Sequence, residues 1–199
     1  MNYRIFEEFP FSYDMESLDR ELHLRGNEAM LDILEELYEG VEKITKPKAI
    51  YFEAKITEKK DDYVKVDDVM FASKLLHGYV AEGDIVYPYI VTAGTEIDEF
   101  YQGLKDSMEL FLIDEVMNLL VNTGKGFVAD AVKKESGWQQ TQDYVPGNGE
   151  EWSTEEQSRL FEMFKGETKK IGVTLGDNFF VLPGRSTIGI LSQKRYSSQ

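Results

Sequence analysis

The sequence predicts an α+β (α/β) protein, a single domain in which long central helices pack on a mixed, largely antiparallel sheet. Three observations carry that expectation. Two long stretches place apolar residues at three- and four-residue steps, and several shorter runs alternate at period two. No Pro/Gly/Ser-rich or charge-biased linker and no internal repeat divides the 199 residues, so they read as one domain over 1–199.

Residues 13–46 read as helical, most clearly after Asn27, where Met30, Leu31, Leu34, Leu37, Tyr38, Val41 and Ile44 form an apolar stripe between acids. Pro47 ends that helix. Ile50, Phe52, Ala54 and Ile56 then alternate with Tyr51, Glu53 and Lys55 as in a half-buried strand, and Lys59 to Asp62 form a polar turn into a return strand at Tyr63–Val66. Phe71 to His77 reads as a short helix. Ile85 to Ala93 is a continuous apolar run, a buried strand whose Pro88 belongs at an end, an edge or a bulge. From Thr95 to about Glu135 the helical period returns, and Gly124-Lys125-Gly126 marks either a break or a close-packing point. Gly137 to Glu151 has the polarity and length of a functional loop. Ser153-Thr-Glu-Glu156 has the spacing of a capping box before a helix over 154–164. Short strands around Ile171–Leu175, Phe179–Leu182 and Thr187–Leu191 close the chain, joined by Gly176-Asp177 and Pro183-Gly184 turns.

Charge and composition exclude several functions. Lys plus Arg number 22 against 37 Asp plus Glu, a net charge of −15 that repels phosphate backbones, so nucleic acid is not an expected partner. The chain has no cysteine, hence no disulfide, thiolate nucleophile or iron–sulfur ligation, and its two histidines, His23 and His77, lack metal-ligand spacing. No P-loop and no nucleophile elbow is present, and no catalytic or metal residue is assigned. Glu7 and Glu8 stand where a signal peptide needs basic and apolar residues, and the apolar runs are too short to span a membrane, so the expected address is the cytoplasm.

The order of motifs in the C-terminal third resembles a known family. Tyr144-Val-Pro-Gly147, Trp152, Gln157, Leu160-Phe161, Lys170-Ile-Gly-Val-Thr-Leu175, Leu182-Pro-Gly184 and Ser186-x-x-Gly189 are similar to the S-adenosylmethionine-binding activation (reactivation) domain of cobalamin (vitamin B12)-dependent methionine synthase. Thr92-Ala-Gly94-Thr-Glu96-Ile-Asp98, Leu112-Ile-Asp114 and Arg20-Glu-Leu-His-Leu-Arg25-Gly resemble that domain's small stand-alone bacterial relatives, extending the likeness over about 15–192. The resemblance implies an α+β domain that binds S-adenosylmethionine and docks on a corrinoid-binding protein or cobalamin-dependent methyltransferase. Cobalamin would be met only through that partner, whose oxidised cofactor is restored by an electron and a methyl group.

The family's ligand motif, Arg-x-x-x-Gly-Tyr, falls on Asp143, Gly147 and Asn148, so only the glycine is kept. The cofactor-binding residues carried over are Asp143, Tyr144, Pro146, Gly147 and Asn148, with Tyr196 as the counterpart of a ligand-contact tyrosine across a gap. An aspartate in place of arginine reverses the sign of the interaction with a ligand carboxylate. Two readings of Asp143 to Asn148 stand side by side, a retained small-molecule pocket and a turn in which Pro146 and Gly147 serve backbone geometry. Three functions follow: a reactivation-domain-like protein, a degenerate member acting as a corrinoid-protein docking or assembly factor, and a binding module for another small molecule, an amine or cation. Glu150 and Glu151 read as ligand contacts or as acids complementing a helix dipole, and Gly94 to Asp98 as an active-site turn or an ordinary helix start.

Overall fold

The computed structural model describes residues 2–147 and 151–194. In chain order the elements are β1 (Tyr3–Phe6), α1 (Met15–Glu21), α2 (Glu28–Ile44), β2 (Lys48–Phe52), β3 (Ala54–Lys60), β4 (Tyr63–Val66), β5 (Val69–Phe71), α3 (Lys74–Tyr79) and β6 (Ile85–Thr92). There follow α4 (Asp98–Gly103), α5 (Ser107–Ser136), β7 (Thr141–Tyr144), α6 (Glu156–Glu162), a 3-10 turn (Glu167–Ile171), β8 (Thr174–Leu175), β9 (Val181–Leu182) and β10 (Ser186–Gln193). The expected α+β class with helices on a sheet holds, and every strand pairing among the described residues is antiparallel.

Strand β6 is the axis of the main sheet. Along one edge it pairs first with β2 and then with β3, and along the other with β10, which in turn pairs β7. Strand β1 extends the sheet beyond β2, while β4 and β5 extend it beyond β3. The apolar run of β6 is continuous because the strand is covered on both faces. Tyr87, Tyr89 and Val91 meet α2 and α5, whereas Val86 and Ile90 meet Phe164, Leu160 and Trp152 from the C-terminal segment.

Pro88 therefore lies inside a central strand, and the ladder accommodates it. The β2 and β3 ladders share one register, and extending either places Phe52 and Glu53 opposite Pro88 and Tyr87, where strand assignment lapses at Glu53. A proline has no N–H to give a neighbour, so the pairing opens there and resumes at Ala54.

Both long helical stretches are divided. Between α1 and α2 the chain turns through His23, Arg25 and Gly26, all at positive φ, while the Asp19 carboxylate accepts from the Gly26 N–H at 3.0 Å. Between α4 and α5 the break is made by Asp106, whose carboxylate caps α5 by accepting from the Met108 and Glu109 N–H groups. Gly124 does not break α5. It is where the helix presses on the sheet, since a Cβ there would lie 2.6 Å from Phe9 Cζ and closer still to Val91.

Other expectations are corrected. The short helix is Lys74–Tyr79, preceded by β5. The Ser153 capping box does not form, because the Ser153 hydroxyl accepts from the Glu155 N–H at 3.3 Å and α6 begins only at Glu156. The long polar loop contains β7, whose Thr-Gln-Asp-Tyr sequence becomes a strand only through its partner β10. No helix among the described residues is long and apolar enough to cross a membrane.

Candidate functional site

Strand β10 is the element on which the site is built. Ala93 donates its N–H to the Arg185 carbonyl at 3.0 Å, and Lys194 donates its N–H to the Gln140 carbonyl at 3.0 Å. Strand alternation then turns the backbone N–H and C=O of odd residues toward β6 and those of even residues toward β7. Strand β7 pairs β10 only from Ile190 onward. Ser186 and Ile188 thus direct their backbone donors and acceptors to an edge that has no strand beside it among the described residues.

A groove of about 390 Å³ lies against this open edge, within the size range of small-ligand sites. The β8–β9 hairpin forms one wall with Phe180 and Leu182, which are 49% and 44% exposed despite being large and apolar. Gln157 of α6 also lines it, and Ser186 to Ile188 line the strand side. The described lining carries no charged side chain. Gln157 is only 7% exposed; its Nε2 donates to the Pro146 carbonyl at 3.2 Å, and its Oε1 is buried without a hydrogen-bond partner.

The residues nominated from the sequence divide between the groove's border and other places. Pro146 is buried next to it through the Gln157 bond. Gly147 follows at φ +87°, donating its N–H to the Trp152 carbonyl at 2.8 Å, and a Cβ there would approach Thr154 Oγ1 to 2.7 Å. Both the positive φ and the close approach require glycine. Tyr144 is buried in the core, its hydroxyl accepting from Ser192 Oγ at 3.3 Å and its ring 5.9 Å from that of Tyr79. Asn148, Glu150 and Tyr196 lie outside the described residues.

Asp143 lies on the opposite face of the sheet, beside Leu191 and toward α5. Its carboxylate accepts from the Tyr89 hydroxyl at 2.8 Å and forms an ion pair with Lys125 at 2.6 Å. Burial, followed by the Asp143 charge and hydrogen bond, pushes the Tyr89 phenol well above its ordinary range, so it remains the donor. Gly189 makes the arrangement possible. A Cβ on it would fall 2.9 Å from the Tyr89 hydroxyl and 2.8 Å from the Tyr144 carbonyl.

A polar array adjoins Ser186 and the start of β10. Ser186 Oγ donates to Thr92 Oγ1 at 2.8 Å, and the Gly94 N–H donates to the same oxygen at 3.0 Å. Burial raises the Glu96 carboxyl, but the Lys48 ammonium and nearby backbone N–H groups outweigh it and hold the group below its usual value. Arg185 pairs with Asp114 at 2.6 Å, with its guanidinium carbon 4.0 Å over the Tyr101 ring. Glu96 Oε2 and Arg185 Nε are nonetheless buried without a hydrogen-bond partner, and the Gly94–Asp98 stretch forms a turn into α4. His23 is exposed, and His77 lines a separate cleft of about 320 Å³ with Asp61, Asp62 and Lys74.

A crystal structure of the MetH reactivation domain bound to AdoHcy superposes with a TM-score of 0.69, covering 98% of this chain and 80% of that one at 14% identity. The two proteins share a fold. No family model matches the sequence, and no curated protein matches it. The likeness to the MetH reactivation domain is one of architecture, in which the open β10 edge and its groove are features of this chain's own residues. Gln157, Leu182, Gly184 and Ser186 stood in the sequence motifs that suggested the resemblance, whereas Phe180 and the Ile188 backbone stood in none. The sequence signal for Phe180 was the adjacent aromatic pair Phe179-Phe180, and none pointed to the Ile188 backbone, because its neighbour β7 was not visible as a strand.

Proposed function

We propose that this protein binds an S-adenosyl compound in the β10 groove and acts as a reactivation-domain-like partner of a separate cobalamin-dependent methyltransferase in the cytoplasm. The observation that carries the reading is a groove along an open sheet edge in a fold shared with a domain solved with AdoHcy. A bound S-adenosylmethionine supplies an electrophilic methyl group, and this chain's part is to hold and orient the ligand. Its backbone edge at Ser186 and Ile188 offers hydrogen bonds, and Phe180 and Leu182 offer apolar surface to a ring. The corrinoid-carrying partner is part of the same proposal.

Calorimetric titration at low salt with S-adenosylmethionine and S-adenosylhomocysteine tests it. Saturable binding is expected, weakened in Phe180→Ala by about 1 kcal/mol or more, the scale of base–aromatic stacking. The half-exposed ring should be removable without loss of fold. Absence of binding by the folded protein would reject the ligand reading.

One observation favours a second reading. Asp143, the counterpart of the family's ligand-holding arginine, is neutralised by Lys125 and offers nothing to a ligand carboxylate. A degenerate member that docks on or assembles a corrinoid protein, or that binds another small molecule, predicts no S-adenosylmethionine binding. The docking form of it also predicts co-purification with a corrinoid protein from the native host.

A further inference from the structure

We propose that the outer edge of β1 is a self-association surface, along which a second copy of this chain lays its own β1 antiparallel to form a two-fold dimer. The inference is independent of the S-adenosyl reading, because β2 and β6 stand between β1 and β10. Strand β1 ends the main sheet, and among the described residues no strand lies beyond it. The parity of the ladders fixes what that edge offers. The Ala93 N–H bonds the Arg185 carbonyl across the β6–β10 ladder, so even residues of β6 turn their backbone groups to the other side, toward β2. Through Ile90↔Ile50 and then Tyr51↔Arg4 the alternation carries on to β1. Arg4 and Phe6 therefore bond to β2, whereas the N–H and C=O of Tyr3 and Ile5 point out of the sheet.

The side chains alternate as well, with Tyr3 and Ile5 packed toward the C-terminal segment and Phe6 toward α5. On the α5 face a groove of about 560 Å³ is lined by Phe6 of β1 and by Phe127, Asp130, Ala131, Lys134 and Glu135 of the helix. Phe6 and Phe127 meet edge to face at 4.9 Å, and both are only half-buried. A strand laid along β1 sets alternate side chains over this groove.

Two features assign that strand to another copy. An antiparallel edge is its own complement, and a two-fold axis normal to the sheet pairs β1 with β1, keeps both α5 helices on one face and merges the two grooves. Charge points the same way. The chain as a whole carries −15 and repels itself, yet the border of this groove holds both signs, with Arg4, Lys133 and Lys134 beside Asp130 and Glu135. Asp130 and Lys134 lie one turn apart on α5, so two antiparallel copies of the helix can set each Asp130 against the Lys134 of the other copy. Lys134 is exposed, and the Asp130 side chain stays 66% exposed despite its contact with Lys133.

Sedimentation velocity of the full chain from about 1 µM to about 200 µM tests the proposal, with a concentration-dependent dimer as the expected result. Ile5→Pro removes an outward N–H and costs β1 no bond to β2, so the fold should hold while dimerisation weakens at least tenfold. Lys134→Glu should weaken it about tenfold, since the reversed charge acts twice across the axis. Hydrogen exchange gives a reading that needs no variant: the Tyr3 and Ile5 amides should exchange more slowly at the concentrations where the dimer forms. A chain that stays monomeric throughout overturns the proposal, whether its edge stays open or takes a strand from a different protein. So does a dimer that either folded variant leaves unchanged, or one in which the Tyr3 and Ile5 amides exchange as fast as in the monomer.

Discussion

Asp143 illustrates how much a single side chain's meaning depends on what folds against it. In the sequence it is a lone acid where the resemblance expects a cation. In the fold it joins Lys125 from α5 and Tyr89 from β6, two residues far from it in the chain. Asp143→Arg places a guanidinium beside the Lys125 ammonium and deprives a buried Tyr89 hydroxyl of its acceptor, so it should lower stability by about 1–3 kcal/mol. Asp143→Asn keeps an acceptor for Tyr89 and should cost less, and thermal melting of the two variants checks the order. Restoring the family's arginine by itself should therefore not restore a ligand site. Gly147 was legible as a turn glycine from its Pro-Gly context, but the Thr154 oxygen that forbids a Cβ there comes from the start of the α6 segment. Gln157 was legible as part of a motif, but not as the residue whose Nε2 donates to the Pro146 carbonyl.

At the scale of elements, local chemistry located the long helices and misplaced their ends. Helix α5 covers 30 residues, about 45 Å at the usual rise, and its apolar stripe was plain in the sequence. Its start was harder to see, because Leu104 and the short α4 keep the helical period running through the break. The decisive residue is Asp106, which satisfies two of the orphan N–H groups. Asp106→Ala should cost about 1 kcal/mol, measured by urea denaturation, with the helix otherwise retained. Strand β7 was illegible for the opposite reason. Four polar or aromatic residues carry little strand signal, and the ladder with β10 imposes the conformation. Pro88 was expected at an end, an edge or a bulge, but it lies inside the central strand, opposite a gap between β2 and β3 in mid-sheet.

For the whole molecule, the packed tyrosines couple stability to pH. Burial first, and then the Glu135 carboxylate, raises Tyr51 to about 12; burial and then Glu53 raise Tyr87 to about 12; and burial and then Asp143 raise Tyr89 well above its ordinary value. In the unfolded chain these phenols ionise near pH 10. Between pH 10 and about 12 the folded protein therefore holds protons that the unfolded chain has released, so stability is full below pH 10 and falls as pH rises through this window. Tyr51→Phe removes one such group and should flatten the decline, seen in urea midpoints collected from pH 9 to 12. The net charge of −15 acts in the same direction, since each new phenolate adds to the self-repulsion of the compact state.

The sequence by itself determined the class of the protein, the long amphipathic helices, the buried central strand and the turns that close the chain. Each of these follows from residues near one another in the chain, through period, capping and backbone geometry. Tertiary structure alone decided which face Asp143 takes, why Gly189 and Gly124 lack side chains, and that β10 outruns β7 to leave an open edge. Those features arise where strands and helices remote in sequence meet. The β10 groove lies where the pairing with β7 stops, and which neighbour stops first is settled by packing across the sheet.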